Sequence, residues 1–98
     1  MNHTQMLSTN HIVSQKPGNI VSDMDGEKVM LSVKNGKYYN MGDIGGVIWE
    51  RMKEPIVIDK LITELTNIYD VAVSVCEEHV LSFLDHLAKE QLIRVTTH

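Results

Sequence analysis

Apolar and polar residues alternate along the first 40 or so positions and recur at three- and four-residue spacing after them. The change of period divides the chain into strands followed by helices. Ile12-Val13-Ser14-Gln15 precedes the turn signal Pro17-Gly18, and Ile20 to Met24 follows it. Asp25-Gly26 marks a second turn. Val29, Leu31 and Val33 then alternate with Met30, Ser32 and Lys34, the period of a half-buried strand. Asn35-Gly36 suits a type I′ turn and leads into a short strand, Lys37 to Met41. A two-residue hairpin there sets Val33 opposite Tyr38 and Ser32 opposite Tyr39. Tyr38 then joins the Val29, Leu31 and Val33 face, and a bulge would exchange the two tyrosines.

The helical part begins at Asp43, whose carboxylate suits an N-cap. Ile44, Val47, Ile48 and Met52 form one apolar stripe. Gly45 and Gly46 cost that helix about 1–2 kcal/mol relative to alanine, and close approach to the sheet is the expected compensation. Pro55 ends it. A second helix is predicted from Ile58 to Tyr69, with Leu61, Ile62, Leu65 and Ile68 on one face. Ser74-Val75-Cys76-Glu77 fits a capping box at the start of a third, whose apolar face is Cys76, Val80, Phe83, Leu84 and Leu87. It ends near Glu90, and Leu92 to Val95 reads as a short strand or extended tail. The expected fold class is α+β: a small antiparallel three-stranded sheet followed by three helices, in outline a winged helix-turn-helix. Residues 1–10 read as a flexible N-terminal segment and residues 11–98 as one domain.

Composition narrows the function. Hydrophobic residues make up 43% of the 98, enough for a core without staples. The net charge is -4, from 13 acidic and 9 basic residues, a poor match to nucleic acid. The third helix carries Glu77, Glu78, Asp85 and Glu90 against Lys89 alone, so it repels a phosphate backbone. Cys76 is the single cysteine, which rules out a disulfide within the chain and a Cys-x-x-Cys motif. There is no apolar signal region and no run of about 18 apolar residues, so a cytoplasmic location away from the membrane is expected.

Catalytic and metal chemistry find little support. His79 and His86 lie two helical turns apart, about 10 Å, too far to share one ion, and His3, His11 and His98 sit near the termini. Cys76 falls on an apolar stripe, where a small buried hydrophobe is its ordinary role. No nucleophile elbow or phosphate loop is present, so neither an enzyme nor a cofactor is expected. What remains is the strand Lys37 to Met41. As a sheet edge, its free N–H and C=O groups can pair with an extended peptide. Tyr38 or Tyr39 would line one wall of such a groove, and Val80, Leu81 or Leu84 the other. The plainer alternative is that Tyr38, Val80 and Leu84 pack the core, as expected of Trp49, Phe83 and Leu87.

The stretch Lys37-Tyr38-Tyr39-Asn40-Met41-Gly42-Asp43-Ile44-Gly45-Gly46-Val47-Ile48-Trp49 resembles the tyrosine-rich segment of PqqD-like proteins that runs into Gly-x-x-Ile-Trp. Ile58 to Leu65 with Tyr69-Asp70-Val71 is similar to that family's second helix and its exit. Val80 to Leu87 with Gln91-Leu92-Ile93 is similar to its closing Phe-Leu-x-x-Leu-x-x-x-Gly-Leu-Ile. The resemblance covers roughly residues 11–95 and looks strongest to the stand-alone recognition elements of lasso-peptide biosynthesis. It implies a module that captures the leader of a ribosomally made precursor peptide. The leader adds to the third sheet strand against the third helix. The module then delivers the precursor to a cysteine-protease leader peptidase and supports an ATP-dependent macrocyclase. On this chain the resemblance assigns peptide binding to Lys37, Tyr38, Tyr39, Asn40 and Met41, with a helical wall from Glu77, Val80, Leu81 and Leu84. Met41 replaces the family's leucine, Gln91 its glycine, and His79 a frequent acidic residue. Alternatives are a peptide chaperone for a radical-SAM enzyme and a winged-helix transcriptional regulator.

Overall fold

A computed structural model describes residues 7–25 and 27–97. The elements are β1 (Ile12–Gln15), β2 (Asn19–Met24), β3 (Glu27–Ser32), β4 (Lys37–Met41), α1 (Gly42–Arg51), β5 (Ile56–Val57), α2 (Ile58–Ile68), α3 (Val73–Lys89) and β6 (Ile93–Thr96). The fold is α+β, as the change of period predicts. The strands form two antiparallel three-stranded sheets rather than one, in the orders β2-β3-β4 and β5-β1-β6. The second is closed by long-range pairs, Val13 with Ile56 on one side and with Val95 on the other.

The core lies between the helices and both sheets. Val13, Met30, Met52, Ile58, Leu61, Leu65, Leu84, Leu87 and Leu92 are wholly or almost wholly buried there. Trp49 and Leu87 belong to this core, as expected of them, and Phe83 packs against it half-buried. Of the N-terminal segment expected to be flexible, residues 1–6 lie outside the described residues. Leu7 is buried, and the Asp59 N–H donates to the Thr9 carbonyl at 3.0 Å. The Asp25-Gly26 turn falls partly outside as well; Asp25 itself turns the chain at φ 56°.

The β3–β4 connection differs from the expected two-residue hairpin. Ser32 pairs with Lys37, leaving a four-residue loop, and Leu31 rather than Val33 faces Tyr38. A type I′ turn needs positive φ at both central residues, and here Gly36 has it while Asn35 does not. The Asn35 N–H is instead held by the Ser32 hydroxyl at 3.2 Å, and the Gly36 N–H by the Ser32 carbonyl at 2.8 Å. A slip of two residues keeps each side chain on its face. The buried face, however, is the Met30, Ser32, Tyr39 and Met41 row. Val33 and Tyr38 point to solvent.

Two helix starts also differ. The residue preceding α1 is Met41, and Asp43 sits inside the first turn, where it still complements the helix dipole. The Gly42 N–H is taken by the Asn40 side-chain oxygen at 2.9 Å, and Gly42 has φ +67°, which favours glycine. The α3 helix starts at Val73, so Ser74 falls within it and the capping box with Glu77 is not formed. At its far end the Gln91 and Leu92 N–H groups return to Ala88 and Leu87 at 3.0 Å each, a Schellman closure with Gln91 at φ +62°. That is the position where the family pattern has glycine.

The paired glycines of α1 are explained by contact. A β-carbon on Gly46 would run into the Lys28 side chain of β3, 2.9 Å from its Cβ. On Gly45 it would lie 3.1 Å from the Phe83 ring and 3.2 Å from Met41 Cβ. The bare backbone lets α1 settle on the sheet and lets Phe83 of α3 lie against α1.

Candidate functional site

The β4 strand is an outer strand, bonded to β3 along one edge; among the described residues nothing pairs with its other edge. Its five residues span about 13 Å. Beside it an apolar cavity of about 460 Å³ opens between β4, α1 and α3. Met41 enters from β4, Ile44, Gly45 and Ile48 from α1, and Leu65 from α2. Tyr69 and Val71 come from the connection after α2, and Val75, Cys76, His79, Val80 and Phe83 from α3. Three of its aliphatic residues stand at the rim: Ile44 is 48% exposed, Val71 45% and Val75 47%. Exposed apolar side chains gathered around one concavity make it the candidate binding surface.

The opposite end of β4 is polar. The Tyr39 hydroxyl donates to Glu90 Oε1 at 2.6 Å. Asn35 Nδ2 donates to the Tyr39 hydroxyl at 3.1 Å and to the Glu90 carbonyl at 3.0 Å. Lys37 Nζ lies 3.7 Å from the same carboxylate. The Tyr39 hydrogen bond foremost, with the Lys37 and His86 charges, holds the Glu90 carboxyl below the ordinary glutamate range. His86 stands edge-on to the Tyr39 ring, centroids 6.5 Å apart.

The residues expected at the site are distributed unevenly. Met41 and Val80 meet at the cavity. Tyr38 is 75% exposed on the outer face of the sheet, while Tyr39 turns inward. Lys37 and Asn40 are exposed, and Asn40 donates to Glu27 Oε1 at 2.9 Å. Glu77 is exposed on α3 outside the cavity. Leu81 lies on another side of α3, in a shallow hollow with Leu7 and Ser82. Leu84 is wholly buried and offers no surface. Burial pushes the Cys76 thiol up, which favours the unreactive protonated form.

Sequence reasoning missed the rim formed by Ile44, Val71 and Val75. A signal existed in the run Val71-Ala72-Val73-Ser74-Val75. These apolar residues precede the buried stripe of α3 and are surplus to it, so they were available for a surface. Ile44 was hidden because its spacing matches the buried stripe of α1. Among the described residues no three His, Cys, Asp or Glu side chains converge as metal ligands, and no helix is long and apolar enough to cross a membrane.

Comparison with known proteins agrees with this architecture. The solved structure described as TbiB1 in complex with the TbiA(beta) leader peptide superposes with a TM-score of 0.73. It is 22% identical, and the match covers 83% of this chain and 94% of that one, so the two share a fold. None of the curated proteins compared gives a match. The family model for coenzyme PQQ synthesis protein D matches residues 27–93, which holds β3, β4, all three helices and the cavity between them. With more than half of its length matched, this chain belongs to the PqqD family.

Proposed function

We propose that this protein binds the leader segment of a ribosomally made precursor peptide by strand addition to β4. It then delivers the precursor to a separate cysteine-protease leader peptidase and an ATP-dependent macrocyclase in lasso-peptide biosynthesis. The observation that carries the reading is the open edge of β4 lying beside an apolar cavity with an exposed aliphatic rim. An added strand gains main-chain hydrogen bonds along the edge, and an apolar side chain in the cavity contributes about 1.5–3 kcal/mol. The shared fold with TbiB1, whose structure holds a leader peptide, supports the same mode here. The acidic Glu77 and Glu78 of α3 suit a peptide better than a nucleic acid.

The role is positioning, carried out in the cytoplasm. Holding the leader raises the effective concentration of the precursor at the processing enzymes, and the protein needs no chemistry of its own. Lys37 to Met41 supply the edge, and Met41 and Val80 with Ile44 and Val75 grip the side chains. Because the matching family is described for coenzyme PQQ synthesis, a second reading is a peptide chaperone for a radical-SAM modifying enzyme. It shares the binding step and differs in the enzyme served.

Fluorescence polarisation tests the binding step, with a labelled leader peptide from the precursor gene beside this one and a labelled DNA duplex as control. Saturable leader binding is expected, with Ile44→Asp weakening it at least about ten-fold while the fold is kept, since Ile44 is half-exposed. Binding of DNA alone, or a leader affinity indifferent to Ile44→Asp and Val75→Asp, would overturn the assignment. Leader cleavage by the neighbouring peptidase, with and without this protein, separates delivery to that enzyme from the chaperone role.

A further inference from the structure

The two ends of the channel between β4 and α3 are built differently. At the Met41 end the elements stand apart around the apolar cavity. At the Lys37 end three side chains of the β3–β4 hairpin converge on Glu90, the residue that caps the end of α3. Tyr39 donates to the Glu90 carboxylate, Asn35 to the Glu90 carbonyl, and Lys37 lies within ion-pair distance. Asn35 also donates to the Tyr39 hydroxyl, which fixes the direction in which that hydroxyl points.

Glu90 stands in an unfavourable place for an acid. It follows the last turn of α3, where the helix dipole favours cations, and the basic residues of that turn, His86 and Lys89, sit where the dipole wants them. Helix stability therefore does not account for a carboxylate at position 90. A 2.6 Å hydrogen bond to a tyrosine 51 residues away does. The backbone beneath is equally fixed: the Glu90 N–H donates to the His86 carbonyl at 3.1 Å, and the Schellman closure follows. An acceptor fixed at the C-cap of α3 is thus matched to a donor fixed on β4.

We propose that the Tyr39–Glu90 hydrogen bond, seated on Asn35, is a latch that sets the separation of β4 from α3 and so holds the free edge of β4 ready for an incoming strand. This rests on the leader-binding reading above and gives Tyr39 a part different from its neighbours. Tyr39 is a positioning residue, and the peptide contacts fall to the edge backbone and the cavity. The mechanism is preorganisation: an edge already at its bound spacing loses less freedom when the peptide arrives.

The test uses the full chain and the labelled leader peptide named above. Leader affinity, amide hydrogen exchange across Lys37 to Met41 in the free protein, and the urea midpoint are measured together. Tyr39→Phe removes the hydroxyl and keeps the ring. It is expected to weaken leader binding about ten-fold, the scale of one hydrogen bond, and to speed exchange in β4 ahead of the rest of the protein. Glu90→Ala is expected to match it, and the double variant to be no worse than either single one. Glu90→Gln keeps an acceptor oxygen and is expected to retain affinity within about two-fold. The latch is refuted if wild type binds the leader and Tyr39→Phe binds it equally well. It is refuted too if Glu90→Gln falls as far as Glu90→Ala, which would mark direct recognition of the charge. A Tyr39→Phe loss accompanied by uniformly faster exchange and a lowered urea midpoint would reduce Tyr39 to a general packing role. Absence of leader binding by wild type would instead remove the functional reading, and the latch with it.

Discussion

The sheets β5-β1-β6 and β2-β3-β4 each have three antiparallel strands, yet they are tied into the protein in opposite ways. The first is anchored at its margins by backbone hydrogen bonds. The Gln15 N–H donates to Met52 at 2.9 Å, Lys16 to Leu92 at 3.1 Å and Ile58 to His11 at 2.9 Å. Gln15 adds a side-chain bond to the Trp49 carbonyl at 2.7 Å, and Val13 and Ile93 sink into the core. The second sheet buries only its inner face. Ile20, Met24, Val33 and Tyr38 stand exposed in or beside it, and its β4 edge is open. The labour is divided: one sheet secures the chain between α1 and the ends, and the other leaves a face and an edge exposed.

That contrast breaks most easily at its buried side. Ile93→Ala in β6 is expected to cost about 2–5 kcal/mol by urea denaturation, because a fully packed side chain leaves a cavity behind. A cost under about 1 kcal/mol would mean that the first sheet is not the anchor. Next in size is Gln91→Gly, which relieves a left-handed backbone and is expected to raise stability by about 1 kcal/mol. An unchanged or lower midpoint would show that the strain at Gln91 is offset by its side chain, which accepts a 3.4 Å bond from Lys34.

Acid titration probes the join between the presenting sheet and α3. The folded-state pKa of Glu90 is lowered, so its contribution is fully present above the ordinary glutamate range and is lost as pH falls through the lowered value. The stability gap between wild type and Glu90→Gln is therefore expected to be flat from pH 7 to about 5 and to shrink below about pH 4. A gap that stayed constant through that acid range would show that the charge of Glu90 contributes nothing to the join. The smallest effect is expected of Ile20→Ala in β2, within about 0.5 kcal/mol, since that side chain is 55% exposed. A larger loss would show that the outer face is packed in solution.

Local order was legible in the chain to the extent that it is local. Ile12 to Gln15, Lys37 to Met41 and the three helices follow from period and breakers, and their bounds fall within two residues of the expected ones except at the end of α1, which stops at Arg51, short of Pro55. The β5-β1-β6 sheet was not legible. β5 has two residues, and its partner β1 lies more than forty positions away, so no pattern within either segment announces the pairing. The hairpin slip has a similar cause: Asn35 is held by Tyr39 and Glu90, and those tertiary bonds override the turn preference of Asn-Gly. The buried face of β3 was ambiguous because both of its rows are apolar, Met30 on one and Val29 and Leu31 on the other. At the site, Met41 and Val80 could be named because edge and helix face are periodic features. The rim of Ile44, Val71 and Val75 emerges only when three elements meet.

Gly45 gives the cavity a property useful to anyone wishing to redirect it. Its missing side chain is what lets Phe83 and Met41 approach α1. A single methyl there would press on the movable Phe83 ring and also on Met41 Cβ, which the β4 main chain fixes in place. Residue 45 thus works as a depth stop: it sets how closely Phe83 and β4 approach α1, and with that the depth of the cavity they line.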